Sequence, residues 1–179
     1  MDLNVVATLG ELADEPVEQT GPSGDFVYID ISSIDRESKT IVGPKSLALS
    51  EAPSRAKQVL KAGDVLVSLT RPNLNAVALV PEHLDGAIGS TGFHVFRSRW
   101  LQPKFLFALV QSQHFVDAMS ALVQGALYPA VRPRDVAAYP FVFATPGQQS
   151  RIVAKLEELL EGLDAGVAAS NDDDIRMFH

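Results

Sequence analysis

The segment from Leu127 to Leu163 constrains the fold of this 179-residue chain most strongly, because a short apolar strand there runs directly into an amphipathic helix. The strand is predicted from Tyr139 to Ala144. Thr145 suits the N-cap of the helix, and Pro146 suits its first position, where a missing N–H costs nothing. Apolar residues then repeat with the spacing of a coiled-coil seam at Ile152, Leu156, Leu159 and Leu163. The pattern predicts a globular domain that ends in a helix for attachment to another chain; the alternative is a helix that folds back onto its own domain.

The residues before this helix predict a mixed α/β domain. Helical periodicity covers Pro103 to Val110 and Phe115 to Val123, and Pro133 can begin one further turn. Gly86 to Gly92 and Arg71 to Asn75 are predicted as turns or loops. Short apolar or alternating runs predict strands at Leu3 to Leu9, Phe26 to Ile31, Thr40 to Val42, Val65 to Leu69, Ala76 to Val80 and Phe93 to Phe96.

The predicted fold class is therefore α/β: a twisted, mostly antiparallel β-sheet domain with flanking helices, followed by a long C-terminal coiled-coil helix. We expect the folded domain over residues 1–145, the helix over residues 146–170, and an acidic tail over residues 171–179 that frays.

Composition argues against an enzyme, a metalloprotein or a membrane protein. The chain has no cysteine, which excludes disulfides and thiolate metal sites, and its four histidines lack metal-ligand spacing. The glycine-rich nucleotide-binding motifs and the Asn-Pro-Pro-aromatic motif of amino-methyltransferases are also absent. No basic leader precedes an apolar run, and no apolar run is long enough to cross a bilayer. We expect a cytoplasmic chain without cofactor or metal.

Charge is unevenly distributed along the chain. The formal net charge is −7, which argues against nucleic acid as a partner. From Lys45 to Arg134, however, ten basic residues outnumber five acidic ones, whereas from Gly147 onward seven acidic residues outnumber three basic ones. DNA contact requires a local basic surface, and the middle of the chain can supply one.

Several segments carry recognisable motifs. Pro146 to Val153 reads P-G-Q-Q-S-R-I-V, Ala62 to Asn75 contains G-D-V-L, and Ser90 to Arg97 begins S-T-G. These segments resemble, respectively, the P-x-x-E-Q-x-x-I, G-D-[IV]-L and S-T-G motifs of the specificity (S) subunits of type I restriction–modification enzymes. When Gln149 and Ile152 are aligned with the Gln and Ile of the motif, Gln148 stands where the family usually has Glu, and it keeps an acceptor oxygen. The resemblance spans Val5 to Leu163 and includes Phe26 to Ile34, Pro103 to Phe115, Gly125-Ala126 and Pro133 to Val136.

The resemblance implies a single target recognition domain with one spacer helix, half of what a two-domain S subunit contains. Such a chain would read one half of a bipartite site on double-stranded DNA and position a separate adenine-N6 methyltransferase (modification) subunit, without catalysing a reaction itself. Its helix would pair with a second recognition domain or with its own copy. The alternative is a protein–protein scaffold of the same fold that does not read DNA, which the net negative charge favours.

The loop from Thr70 to Asn75 is the first candidate DNA contact. Arg71 can bridge the O6 and N7 atoms of guanine, and Asn73 and Asn75 can pair with adenine. The alternative is that the asparagines form Asx turns and Arg71 pairs with a carboxylate. Ser90 and Thr91 are candidate phosphate contacts, because hydroxyl groups often donate to phosphates.

A second candidate cluster contains Tyr128, Arg132 and Arg134. Pro129 and Pro133 stiffen this segment, which lowers the entropic cost of presenting the arginines. The alternative is an ordinary surface loop.

Overall fold

The computed structural model describes residues 6–13, 15–123 and 125–176, with side chains described as far as Gly162. The chain divides into two compact units, residues 1–143 and residues 144–179. Along the first unit, the strands are β1 (Val6–Thr8), β2 (Phe26–Ile29), β3 (Ile34–Asp35), β4 (Thr40–Ile41), β5 (Lys45–Leu47), β6 (Ala56–Val59), β7 (Val65–Ser68), β8 (Val77–Leu79), β9 (Ile88–Ser90), β10 (Phe93–Phe96) and β11 (Pro140–Val142). The helices are α1 (Leu9–Ala13), α2 (Pro103–Gln111), α3 (Gln113–Ala121) and α4 (Pro133–Ala137), and in the second unit α5 (Pro146–Arg176).

Small sheets with mostly antiparallel pairing build the first unit. One sheet has the order β5-β2-β9-β6, another has the order β10-β7-β8, and β3 forms a hairpin with β4. Strand β2 runs parallel to β9, whereas its other neighbour β5 is antiparallel. Strand β1 pairs with β11, so the two ends of this unit are hydrogen-bonded to each other. The predicted α/β class with mostly antiparallel strands is confirmed.

Strand β7 is the middle strand of the three-stranded sheet. Every residue from Val65 to Ser68 is buried, and the strand pairs with β8 on one side and β10 on the other. A buried apolar cluster contains Leu60, Leu66, Ala78, Phe93 and neighbouring side chains. Complete burial of one large apolar side chain contributes about 1.5–3 kcal/mol, so this cluster fixes the strands that carry the loops described below.

The G-D-V-L and S-T-G segments are joined by an ion pair between a partly buried arginine and a buried carboxylate. Arg97 donates from Nε to Oδ1 of Asp64 at 2.8 Å and from one terminal nitrogen to Oδ2 at 2.7 Å. The Asp64 side chain is only 2 % exposed, and Oδ2 also accepts from the backbone N–H of Lys61. Gly63 precedes it with φ +87°, a conformation that favours glycine. The motif therefore has a structural role at the start of β7.

The sequence located most elements, but some strands were missed. Phe93–Phe96 coincides with the predicted strand, and α2 and α3 lie within a few residues of the predicted helices. The interpretation of Gly86 to Gly92 as only a turn was wrong, because β9 occupies Ile88–Ser90. Strands β3, β5 and β6 and helix α1 were not predicted. Of the strand predicted over Leu3 to Leu9, residues 3–5 lie outside the described residues.

The second unit is a single helix in the described residues. Helix α5 continues to Arg176, beyond the predicted end at residue 170. No helix in the described part of the chain is both long and apolar enough to cross a membrane.

Candidate nucleic-acid interface

The loop after β7 has a defined geometry. Arg71 adopts φ +48° and ψ +61° and precedes one 3-10 turn over Pro72–Leu74. The turn is closed by two backbone hydrogen bonds, from Leu74 N–H to the Arg71 carbonyl and from Asn75 N–H to the Pro72 carbonyl. Because Pro72 is buried, it anchors the loop while Arg71 and Asn73 remain exposed. The geometry leaves both side chains available to a ligand.

Asn75 differs from Arg71 and Asn73 because its polar groups form hydrogen bonds within the protein. Its side-chain amide donates to the Gln111 carbonyl at 3.4 Å, and its backbone carbonyl accepts from Lys39 Nζ at 2.7 Å. It adopts φ +43°, which asparagine tolerates better than most residues. In this conformation, Asn75 positions the loop. We did not predict a role for Lys39, because its contact with Asn75 joins residues far apart in the sequence.

Backbone pairing brings the predicted clusters together at the end of β7. The N–H of Leu69 donates to the Gly92 carbonyl at 2.9 Å, and the carbonyl of Leu69 accepts from the N–H of Val131 at 2.9 Å. Thr70 and Ala130 form an isolated antiparallel bridge, and the N–H of Arg71 donates to the carbonyl of residue 129 at 2.8 Å. The turn after Ser90, the Arg71 loop and the segment before Arg132 are therefore neighbours.

The segment that precedes α4 presents aromatic and basic side chains to solvent. Tyr128 is 86 % exposed, and Arg132 and Arg134 are exposed. The carboxylate of Asp135 accepts from the backbone N–H of Arg132 at 3.0 Å and lies 3.8 Å from Arg134 Nε. The carboxylate thus caps α4 and partly offsets the charge of Arg134, whereas the Arg132 side chain has no ion pair among the described residues.

The two predicted hydroxyl contacts differ in their exposure. Thr91 is exposed, with its backbone N–H bound to the Arg55 carbonyl. Ser90 is only 3 % exposed, and its hydroxyl accepts from the N–H of Gly92 at 3.1 Å. Ser90 is thus suited to shaping the turn, and Thr91 is the better placed of the two to contact a phosphate.

Helix α5 begins with a capping box. The Gln148 side-chain oxygen accepts from the Thr145 N–H at 2.8 Å and from the Thr145 hydroxyl at 2.9 Å, while the Thr145 hydroxyl oxygen lies 3.4 Å from the Gln148 N–H. Glutamine supplies the acceptor that a glutamate would supply here. The departure from the family motif therefore leaves the helix start intact.

The predicted seam of α5 is exposed as far as its side chains are described. Exposed fractions are 42 % for Ile152, 39 % for Leu156 and 53 % for Leu159, and Leu160 beside them is 61 % exposed. The side chain of Leu163 lies outside the described residues. Exposed leucines at this spacing form an apolar stripe, and a coiled coil made with it stays a prediction.

The described residues show no candidate metal site. They contain no group of three or more His, Cys, Asp or Glu that could hold a metal ion. Several acidic residues of the first unit form hydrogen bonds that stabilise local structure. Asp30, for example, caps the turn over Ile31–Ser33 and binds Lys45 Nζ at 2.8 Å.

Comparison with known proteins identifies structural relatives. No protein-family model matches the chain, and a search of curated proteins finds no match. Among solved structures, the HsdS subunit from Thermoanaerobacter tengcongensis is 39 % identical with a TM-score of 0.86, over 94 % of this chain and 45 % of that one. A second solved structure, described as the structural basis of complex assembly and conformational transition of the type I R-M system, is also 39 % identical. Its TM-score is 0.84 and its coverage is the same.

A more distant relative shows the same fold. The type I restriction–modification S subunit from M. genitalium is 17 % identical with a TM-score of 0.53, over 94 % of this chain and 43 % of that one. The chain thus spans less than half the length of the solved structures it matches. The structural resemblance that the sequence motifs predicted is confirmed.

Proposed function

We infer that this chain belongs to the specificity subunits of type I restriction–modification systems and comprises one target recognition domain with its spacer helix. The support is 39 % identity and a TM-score of 0.86 over nearly the whole chain. We further propose that the first unit reads one half of a bipartite site on double-stranded DNA. The chain would position a separate adenine-N6 methyltransferase subunit in the cytoplasm and carry out no chemistry itself.

The observation that carries the DNA-reading proposal is the convergence at Leu69. Its backbone groups bind both the S-T-G turn and the segment before α4, so Arg71, Thr91 and Arg132 are carried on neighbouring backbone segments. Arginine and asparagine can read base edges, and hydroxyl and further arginine groups can hold phosphates. Exposed Arg71 and Asn73 are the proposed base readers. Arg132 and Arg134, with Thr91 and Tyr128, are the proposed backbone contacts.

The proposed partner of the apolar stripe on α5 is a second helix. Ile152, Leu156 and Leu159 are exposed in the isolated chain, and association with another helix would remove them from water. The second helix would come from another copy of this chain or from a different recognition domain.

Co-expression tests the proposed function directly. The chain is expressed with the adenine-N6 methyltransferase subunit encoded in the same genome, in a host that lacks adenine methylation. Co-purification of the two chains and N6-methyladenine at a single bipartite motif are expected. Methylation of the same motif by the methyltransferase subunit alone would contradict the proposal.

The scaffold alternative gives a different outcome. The net charge of −7 favours it, because a negatively charged protein is repelled by DNA at long range. A scaffold would co-purify with the methyltransferase subunit, yet the complex would show no preference for any DNA sequence.

A further inference from the structure

A recess lies between the β3–β4 hairpin and the loop after β7. Its volume is about 470 Å³, and two arginines from distant parts of the sequence line it, Arg36 and Arg71. The hydroxyl-bearing residues Ser32 and Thr70 also line it, with apolar walls that include Ile34 and Leu74. No carboxylate residue is among the described residues that line the recess.

The hairpin holds Arg36 in a fixed turn. Ile34 pairs with Ile41 and Asp35 with Thr40, so Arg36 is the first residue beyond the paired strands. The Asp35 carboxylate accepts from the backbone N–H of residue 37 at 2.8 Å and of residue 38 at 3.0 Å. These bonds form an Asx-type turn, so the Asp35 carboxylate next to Arg36 is hydrogen-bonded to the backbone of its own turn.

Lys39 connects this hairpin to the loop after β7. Its Nζ donates to the Asn75 carbonyl at 2.7 Å, and the lysine itself adopts φ +56° at the end of the turn. The bond connects the hairpin that carries Arg36 with the far end of the loop that begins at Arg71. The two arginines are thus supported by backbone segments that are joined to each other.

Two exposed guanidinium groups beside an apolar wall are suited to the sugar–phosphate of a nucleotide. The Ser32 hydroxyl donates to the Asp30 carboxylate and the Thr70 hydroxyl is paired with Ser68, so the arginines are the groups proposed to bind the phosphate. Arginine binds phosphate oxygens through two parallel hydrogen bonds, and the apolar wall can contact the sugar. We propose that Arg36 binds a backbone phosphate of the DNA strand whose bases Arg71 is proposed to read. The inference rests on the proposed DNA reading and adds a positioning contact from a hairpin outside the predicted clusters.

The test uses the complex of the full chain with its methyltransferase subunit. The probes are a duplex that carries the motif found by methylome sequencing and a scrambled duplex of equal length. Arg36→Ala should weaken binding to both probes equally and make the slope of log affinity against log salt shallower by about one unit. Arg36→Lys should keep the slope, because it keeps the charge. Arg151→Ala is the matched control, since Arg151 is an exposed arginine on α5 that does not line the recess.

The outcomes separate this inference from the proposed function. If the parent complex binds the motif but Arg36→Ala has the slope and affinity of Arg151→Ala, the phosphate contact is wrong and the DNA-reading proposal stands. A loss confined to the motif duplex would also overturn the phosphate role. If the parent complex prefers neither probe, both proposals fail. Arg36→Gln serves as a second charge-removing variant, and a circular dichroism melt of each variant shows that it is folded.

Discussion

At the scale of single residues, Arg97 and Arg99 lie two positions apart but occupy contrasting environments. Arg97 makes two hydrogen bonds to a carboxylate that is 2 % exposed, whereas the Arg99 side chain is 68 % exposed and pairs with Glu15 at the surface. Loss of one partner from a buried pair leaves the other charge uncompensated. Surface pairs contribute little, because water screens them.

We expect Arg97→Ala to lower the free energy of unfolding by about 3–5 kcal/mol. Arg99→Ala should lower it by less than about 1 kcal/mol. Urea denaturation followed by tryptophan fluorescence or circular dichroism measures both. Equal effects of the two substitutions would show that the Asp64 carboxylate is not isolated from water in solution.

Arg71 and the arginines near α4 should differ in how their loss affects binding. Arg71→Ala should cost about 1–3 kcal/mol of binding free energy on the preferred duplex and relax the preference at one position. Arg132→Ala or Arg134→Ala should weaken binding to all sequences alike and reduce the salt slope by about one unit each. Competition binding with the assembled methyltransferase complex measures these effects. Equal loss on preferred and scrambled DNA for Arg71→Ala would contradict the base-reading role of Arg71.

At the scale of elements, the stripe on α5 is the clearest feature without a partner among the described residues. Leu156 and Leu159 lie on the predicted seam, whereas Ala154 lies on the opposite face of the helix. Leu156→Asp combined with Leu159→Asp should give a folded monomer, because a charge cannot be buried in an apolar seam without a large cost. Ala154→Asp should leave assembly unchanged. Analytical ultracentrifugation at tens of micromolar measures the result, and a parent chain that is already monomeric without a partner would rule out self-pairing.

Elements with local signals could be predicted from the sequence, whereas elements that depend on distant contacts could not. The strand Phe93–Phe96 and the helix start at Pro146 have clear local signals, namely an apolar run and a capping sequence. Strand β9 resembles a turn because it contains Gly89. A Cβ at Gly89 would lie 3.0 Å from a side-chain carbon of Leu60. Close packing across the sheet therefore explains this glycine, and no short window of sequence shows such packing.

The residues of the candidate site also divide into those that sequence could identify and those whose role depends on distant contacts. Arg71 and Asn73 could be selected by residue chemistry, and the structure shows both exposed. Asn75 and Ser90 were selected on the same grounds, but their polar groups bind neighbouring backbone. Arg36 was not selected, because its place beside Arg71 depends on how a distant hairpin packs.

At the scale of the whole molecule, the proposed pairing through α5 would determine the symmetry of the proposed DNA site. If two copies pair through α5, a twofold axis relates two identical domains, and the site should be an inverted repeat of one half-site. If the chain pairs with a different recognition domain, the two half-sites should differ. Methylome sequencing of a strain that expresses only this chain and the methyltransferase subunit distinguishes the two arrangements. Methylation at a single unpaired half-site would contradict both.

The isolated chain should carry out neither methyl transfer nor DNA cleavage. The described residues contain no cluster of metal ligands, and the sequence lacks the Asn-Pro-Pro-aromatic motif. Incubation of the pure chain with DNA, tritiated S-adenosylmethionine and magnesium should leave the DNA unlabelled and intact. Incorporation of tritium into the DNA above that of a heat-denatured control would overturn the proposal that the chain is a non-catalytic subunit.

The pairing of β1 with β11 also has a consequence for synthesis on the ribosome. Val6 lies opposite Val142, so β1 can pair with β11 only after nearly the entire first unit has been synthesised. Contacts between such distant parts of a chain form slowly, because the intervening loop must close first. We therefore expect β1 to remain exposed during translation until Pro140–Val142 has left the exit tunnel. The nascent chain would then close the domain at about the time that α5 is being made.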